Sequence, residues 1–427
     1  MPNYQQQRGT YDAYYEDARN IDKVTSLLKQ IADLYGYNPI ITPIYEQTEL
    51  FARSAGESSD IVTKEMFTFL DKGGRNITLR PELTAGVMRS IVTNKLYATK
   101  DLPLKLSYYG PAFRYERPQA GRYRQFSQMG VENVGVTSPY NDAETISFGY
   151  NALKMLGFEH VILKINSIGD EESRNAYKQA LKEFFLDKIP CMCPDCKRRY
   201  EINPLRILDC KVPEDQEIIK GAPLMSDYLN DNSKNYFSQI LKLLDDQGIE
   251  YVIDDSLVRG LDYYSHVVFE FHYITNEGTN LGAIGAGGHY DNLVKEIGGP
   301  ELSSVGLAFG VERLNSLLKE IHKDNYATCD LDVFVCWMGE KAKNFAFNTA
   351  EYLRKNAFKC DMLFEEKSMK AQIKVAVRKN AKFMLIIGED EINNNVFQLK
   401  NIQTQEQIEV SKEELIEKLD ELILEEI

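Results

Sequence analysis

Four arginines crowd one short stretch of the chain. They are Arg114, Arg117, Arg122 and Arg124, within YGPAFRYERPQAGRYRQFSQMGVENVG at 109–135. Glu116, Gln119, Gln125, Gln128 and Glu132 are interleaved with them or follow them. A guanidinium is a rigid fork of donors that matches phosphate or carboxylate oxygens. Carboxylates and amides suit a second ligand that is cationic or rich in hydrogen-bonding groups. The stretch reads as strand, loop and returning strand, with Pro118 and Gly121 as turn residues. Side chains two apart on a strand share a face, which groups Arg114 with Glu116 and Gln128 with Glu132. A solvated charged hairpin is the plainer alternative, but matching polar residues elsewhere favour a charged-ligand site.

Those residues stand where elements change. In RPELT, Glu82 and Thr84 sit between a short strand at 77–79 and a helix predicted over 85–96. Polar groups there cap the helix or reach a ligand. Capping accounts for Thr84; Glu82 beside Arg80 is less easily explained that way. LVRGLDYYSHVVFEF carries Arg259, Tyr263 and Tyr264 just before a strong strand. NLGAIGAGGHYDNLVKEIGG reads as strand, glycine turn and helix, ending its glycines at His289 and Tyr290. SSVGLAFGVERLNSLLKEI reads as a strand, Gly310 and a helix bearing Arg313. The glycine order at 282–288 is wrong for a dinucleotide fingerprint, and no P-loop is present. Close approach of a ligand or strand near Tyr290 and a tight turn both fit these glycines.

The remaining elements frame these residues. Ala18, Ile21, Val24, Leu27, Leu28, Ile31 and Leu34 recur at helical spacing, and Gly36 ends that helix. An extended stretch interrupted by Pro39 and Pro43 follows, a candidate subunit contact or edge strand. A hairpin is expected at 66–79, a helix at 140–156 and a strand at 161–165. From about 171 to 244 the texture is helical, charged and locally basic, which marks an inserted helical subdomain. After a polar break at 323–325, strands alternate with helices, implying a small, mainly parallel α/β domain. Hairpins mixed with helices make the first part α+β. The expected domains are 1–325, with the insertion at about 171–244, and 326–427. In the second, Lys370, Lys374 and Arg378 recur every four residues and form one basic helix face, either simply solvated or touching phosphates.

The chain has 427 residues, 43% of them apolar, enough for two or three cored domains. No run approaches the roughly 20 apolar residues of a membrane span, and the N-terminal stretch lacks the pattern of a signal peptide. A cytoplasmic protein is the expectation. A net charge of -14 argues against nucleic-acid binding by bulk charge, while leaving room for local basic patches. Seven cysteines, unevenly spread, fit reduced thiols better than a disulfide framework. Cys191, Cys193, Cys196 and Cys210 hint at zinc, with Cys193, Cys196 and Cys210 as the candidate ligands. A zinc ribbon would show a second C-x-x-C, so buried free thiols are the expectation and zinc the lesser alternative. The five histidines show no metal-binding spacing; His289 lies nearest the candidate site.

Taken together and in order, several of these segments resemble the histidyl-tRNA synthetase family of class II aminoacyl-tRNA synthetases. The segment FRYERPQAGRYRQFSQMGVENVG resembles the family's motif 2, GLAFGVERL motif 3 and the Pro43 region motif 1. LVRGLDYY resembles a signature peculiar to histidyl enzymes, and TLRPELTAG and AGGHYDNL supply further blocks. The resemblance covers nearly the whole chain. It implies an antiparallel catalytic sheet with flanking helices, a helical insertion and a C-terminal α/β anticodon-binding domain. It implies that histidine and ATP form histidyl-adenylate, with Mg²⁺ arriving on ATP, and that the histidyl group then passes to the 3′ end of tRNA(His). By similarity, Arg114 and Arg259 contact the α-phosphate and the histidine carboxylate and are the catalytic pair. Arg313 and Arg122 complete the ATP site, and Glu116 takes the adenine side. Glu82, Thr84, Gln128 and Glu132 recognise histidine between Tyr263, Tyr264 and Tyr290, and Gln119 and Arg124 meet the tRNA acceptor end. A cytoplasmic homodimer without membrane contact is implied.

Two positions depart from the family pattern. Leu83 replaces a common glycine and is expected to narrow the pocket; His289 replaces a common arginine and is expected to remove a fixed charge. The rival readings are a histidine-sensing regulatory subunit paired with the first enzyme of histidine biosynthesis, and a tRNA-binding module without chemistry. Retention of Arg114, Arg259, Arg313 and the last domain speaks against the first.

Overall fold

The computed structural model describes residues 4–56, 59, 61–98, 101–117, 121–275, 277–321 and 331–424. The chain divides into two compact units, Met1–Asp324 and Asn325–Ile427. The first is α+β and built on an eight-stranded sheet. From edge to edge its strands are Asn38–Pro39, Leu104–Phe113, Gln125–Val134, Ser304–Gly310, Asn280–Tyr290, Ser265–Ile274, Val161–Gly169 and Tyr251–Ile253. The two edge strands pair parallel and every other pairing is antiparallel.

Alternation along the central strands gives the sheet two different faces. Val131, Leu307, Phe309, Phe269 and Phe271 are buried on one of them. The helix Pro139–Met155 packs there, started by Pro139 after the cap Ser138. Gly149 lets it approach closely, since a Cβ at that position would lie 2.5 Å from Leu307 and Phe271. On the opposite face the register aligns Gly130 with Ala308, Glu132 with Gly306, and Gly288 with Gly306. Small residues there leave a hollow over the middle of the sheet.

The glycine run therefore lies inside the strand Asn280–Tyr290, and no separate turn precedes Tyr290. The glycines are needed because the sheet packs tightly: a Cβ on Gly288 would lie 2.7 Å from the Tyr264 ring, and one on Gly285 2.5 Å from Phe309. The stretch after Pro43 is also less extended than expected, for Thr48–Ala55 is a helix. The hairpin strand ends at Phe113, so Arg114 and Glu116 lie in the loop beyond it.

The insertion is helical as expected, running from Glu171–Phe185 to Asp231–Asp246, with the caps Asp170 and Asn230 each accepting from a serine N–H. It has its own small core around Tyr177, Leu181, Phe185 and Ile207. The second unit is a five-stranded sheet ordered Cys360–Met362, Val333–Trp337, Phe383–Ile387, Val396–Asn401 and Gln407–Ser411. The first three strands are parallel, whereas the last two pair antiparallel. It is thus more mixed than expected, because the polar and mostly exposed strand Gln407–Ser411 gave no apolar signal.

Candidate active site

The hollow is a cavity of about 300 Å³. Its lining includes Glu82, Thr84, Arg114, Glu116, Arg122, Gln128, Glu132, Arg259, Tyr263, Tyr264, Tyr290 and Arg313. Segments separated by more than two hundred residues thus converge on one space.

One end is built around Glu132, which is 1% exposed. Its Oε1 accepts from Thr84 Oγ1 at 2.7 Å and Tyr108 OH at 3.1 Å, and its Oε2 accepts from the Tyr290 hydroxyl. Burial pushes its pKa up to about 8, partly offset by these hydroxyl donors. Gly306 makes the arrangement possible, because a Cβ there would overlap the Glu132 carboxylate. Glu82, also buried, caps the helix Thr84–Thr93 by accepting from the Ala85 N–H at 2.9 Å. Its pKa too is raised by burial. Its other oxygen is buried without a hydrogen-bond partner. Tyr263, Tyr264 and Tyr290 wall this end, with ring centroids 4.5 to 6.2 Å apart.

The same lining carries four cations, Arg114, Arg122, Arg259 and Arg313. Arg114 lies 5.3 Å from the Phe126 ring centre and donates from Nε to the Pro81 carbonyl at 2.8 Å. Arg259 is paired with Glu270 and lies 5.6 Å from the Tyr264 ring centre. Burial opposes ionisation of Glu270, but His272 and Arg259 outweigh it and hold its pKa below the usual range. The Nε of Arg259 is buried without a hydrogen-bond partner. Arg313 is anchored on the Leu281 carbonyl, and burial and nearby Arg122 lower its pKa. A buried polar atom left unpaired costs about 1–3 kcal/mol. Such atoms on both Glu82 and Arg259 fit a polar ligand that completes them.

Not every expectation falls in this cavity. Gln119 lies outside the described residues. Arg124 is not itself among the lining residues; it packs 3.7 Å from the Tyr115 ring centre and donates to the Glu116 and Arg8 carbonyls. Arg80 is structural, donating to the carbonyls of Thr42, Pro43 and Pro111. Leu83 is not among the lining residues; its side chain is buried in the core cluster that also holds Tyr263, Tyr264 and Tyr290. His289 does not remove a fixed charge either. It is fully buried, with Nδ1 2.9 Å from Asp142 and Nε2 3.1 Å from Asp291. Burial disfavours the imidazolium, yet Asp142 and then Asp291 outweigh it and raise the pKa to about 10.

Tyr108, Glu270 and Asp142 were missed from sequence. A tyrosine or a lone carboxylate in an apolar strand or helix carries no spacing signal; its partner is only known once the strands are registered. The small floor residues Gly306, Ala308 and Gly310 were the available clue, alternating as they do with Leu307 and Phe309.

Known proteins share this organisation. A family model described as Histidyl-tRNA synthetase matches residues 9–169 and 208–314, and one described as Anticodon binding domain matches 332–422. The histidine–tRNA ligase of Thermosipho melanesiensis is 47% identical over 416 residues, 97% of each chain. That of Bacillus subtilis is 44% identical over 412 residues, 96% of each chain. An apo histidyl-tRNA synthetase structure from S. aureus superposes with a TM-score of 0.82 at 37% identity, covering 98% of this chain and all of that one. The chain belongs to the histidyl-tRNA synthetase family.

Proposed function

We propose that the cavity carries out the family's reaction with the residues that line it. The chain is an aminoacyl-tRNA synthetase that joins histidine to tRNA at the expense of ATP. In the first step a histidine carboxylate oxygen attacks the α-phosphorus, the bond to the β-phosphate oxygen breaks and pyrophosphate leaves. In the second, a hydroxyl at the tRNA 3′ end attacks the adenylate carbonyl and AMP leaves. Negative charge gathers on the transferring phosphoryl group, where positioned cations are most effective.

Arg114 and Arg259 are assigned to that group and to the histidine carboxylate, Arg313 and Arg122 to the outer phosphates, and Glu116 to the adenine side. Mg²⁺ accompanies ATP as a counter-ion that spreads phosphate charge. The four arginines of the lining suit the phosphates themselves. Glu82, Thr84, Gln128 and Glu132 are assigned to the ammonium and imidazole of histidine. Such a pocket discriminates well, since a wrong side chain leaves its polar groups unpaired. Arg124 and Gln119 are assigned to the tRNA acceptor end. We place the protein in the cytoplasm as a homodimer. No helix among the described residues is long and apolar enough to cross a membrane.

The observation that carries this reading is the lining itself, with Arg114, Arg259 and Arg313 around the same cavity as Glu82 and Glu132. Histidine-dependent exchange of pyrophosphate into ATP, without tRNA, tests it. Exchange is expected with histidine and no other amino acid. Its absence in folded protein would favour the regulatory-subunit reading instead.

A further inference from the structure

Three cysteines and an aspartate meet in the insertion, away from the catalytic cavity. Cys193, Cys196, Cys210 and Asp215 each present a ligand atom, and all four atoms lie within 4.8 Å of one another. Cys196, Cys210 and Asp215 are at most 3% exposed. The sulfurs of Cys193 and Cys210 are 3.9 Å apart, and Cys210 Sγ is 3.2 Å from Asp215 Oδ2. Bonds of about 2.3 Å to a tetrahedral zinc place two sulfurs roughly 3.8 Å apart. Backbone groups point the same way. The N–H of Cys196 is directed at Cys193 Sγ at 3.4 Å, and that of Val212 at Cys210 Sγ at 3.5 Å. Amides aimed at sulfur support thiolates bound to a metal.

The sequence lacked a second C-x-x-C, which made zinc the lesser alternative. The fold supplies the missing ligand instead from Asp215, in the first turn of the helix Pro213–Ile219. Cys191 is exposed and outside the cluster. Cys193 and Cys196 fall between the segments matched by the synthetase family model, 9–169 and 208–314.

We propose that Cys193, Cys196, Cys210 and Asp215 bind one structural zinc ion that locks the insertion against the loop carrying Arg259. The segment closed by the ion contains Asn203 and Arg206. Arg206 donates to Asp262 Oδ1 at 3.0 Å and to the Gly260 carbonyl at 2.5 Å, and Asn203 donates to Asp262 Oδ1 at 3.0 Å. Gly260 and Asp262 are the near neighbours of Arg259, so Asn203 and Arg206 act as positioning residues. The small core of the insertion gains a cross-link that its apolar residues alone do not provide. The ion itself is independent of the catalytic reading; its effect on Arg259 rests on that reading.

Metal analysis of the full-length, untagged protein tests the proposal. About one zinc per chain is expected after desalting, retained by Cys191→Ser and lost by Cys196→Ser and Asp215→Asn. In case those variants fail to fold, wild type stripped with a chelator is titrated with zinc alone. Stoichiometric uptake, protection of three thiols and a higher melting temperature are expected, and cobalt(II) should give a thiolate charge-transfer band. Recovery of pyrophosphate exchange on zinc addition would tie the ion to Arg259. Stripped wild type that takes up no zinc, or zinc retained undiminished in folded Cys196→Ser, would overturn the site. Formation of a Cys193–Cys210 disulfide unaffected by zinc would also overturn it.

Discussion

Glu132 concentrates the chemistry of recognition in a single side chain. Its pKa of about 8 leaves it mostly protonated near neutrality in the unliganded fold. A histidine ammonium placed against it would favour the ionised form, so binding at pH 7 is expected to release up to about one proton. Calorimetry in buffers of different ionisation enthalpy reads this directly, and proton uptake or none would contradict the assignment. The same shift has a consequence for stability. A carboxyl whose folded pKa is raised contributes stability fully below its ordinary value and loses it as pH rises through the folded value. Wild type should therefore lose stability between about pH 4.5 and about pH 8, and Glu132→Gln should flatten that slope. Denaturant melts across this range, compared between the two proteins, give the result. At this scale the residue types were informative. Arginines and carboxylates in one hairpin announced a charged ligand, whereas Tyr108 and Glu270 were silent, because their roles depend on partners brought close by pairing between strands.

Elements decide whether those side chains can meet. The strand Ser304–Gly310 keeps a small residue on every position facing the cavity, and Gly306 lies under the Glu132 carboxylate. Gly306→Ala should displace that carboxylate at roughly 1–3 kcal/mol, the usual cost of overpacking. Steady-state kinetics should then show a KM for histidine raised at least about fivefold, with KM for ATP changed less. Equal changes in both would count against assigning Glu132 to histidine. Helix and sheet are joined by a buried charge, Asp142 in the first turn of Pro139–Met155 against His289 in the glycine strand. Breaking a buried pair by removing one partner costs about 3–5 kcal/mol. Asp142→Ala should lose stability of that order in denaturant melts, and a loss below about 1 kcal/mol would show that Asp291 alone holds the imidazolium. Of the two readings the glycines allow, close approach holds and the tight turn does not: a Cβ on Gly287 would overlap the Gly306 carbonyl. The pairing of Asp142 with His289 was hidden for the same reason as its distance along the chain.

At the scale of the whole molecule, the second unit matches the anticodon-binding domain model and carries a basic helix of its own. The helix Met369–Arg378 carries Lys370, Lys374 and Arg378 exposed on one face, as its four-residue spacing predicted. If that face meets phosphates, replacing all three by glutamate should lower kcat/KM for tRNA by tenfold or more, on the order of the loss of several phosphate contacts. Histidine-dependent exchange should be unchanged, and the salt dependence of charging should become shallower. Unaltered charging would make the face merely solvated. Architecture at this scale was legible wherever apolar periodicity was strong, as in the helix Glu16–Leu34 and the alternating strands and helices of the second unit. It was not legible where a strand is short, polar and exposed, as Gln407–Ser411 is.

The proposed chemistry requires Arg259, paired with Glu270 and lining the same cavity as Arg114, to act on the transferring phosphoryl group. Pyrophosphate exchange by Arg259→Ala, beside wild type of equal thermal stability, tests this most directly. A loss of at least about 100-fold in kcat is expected, the scale of removing a transition-state donor. Exchange within a few-fold of wild type would contradict it.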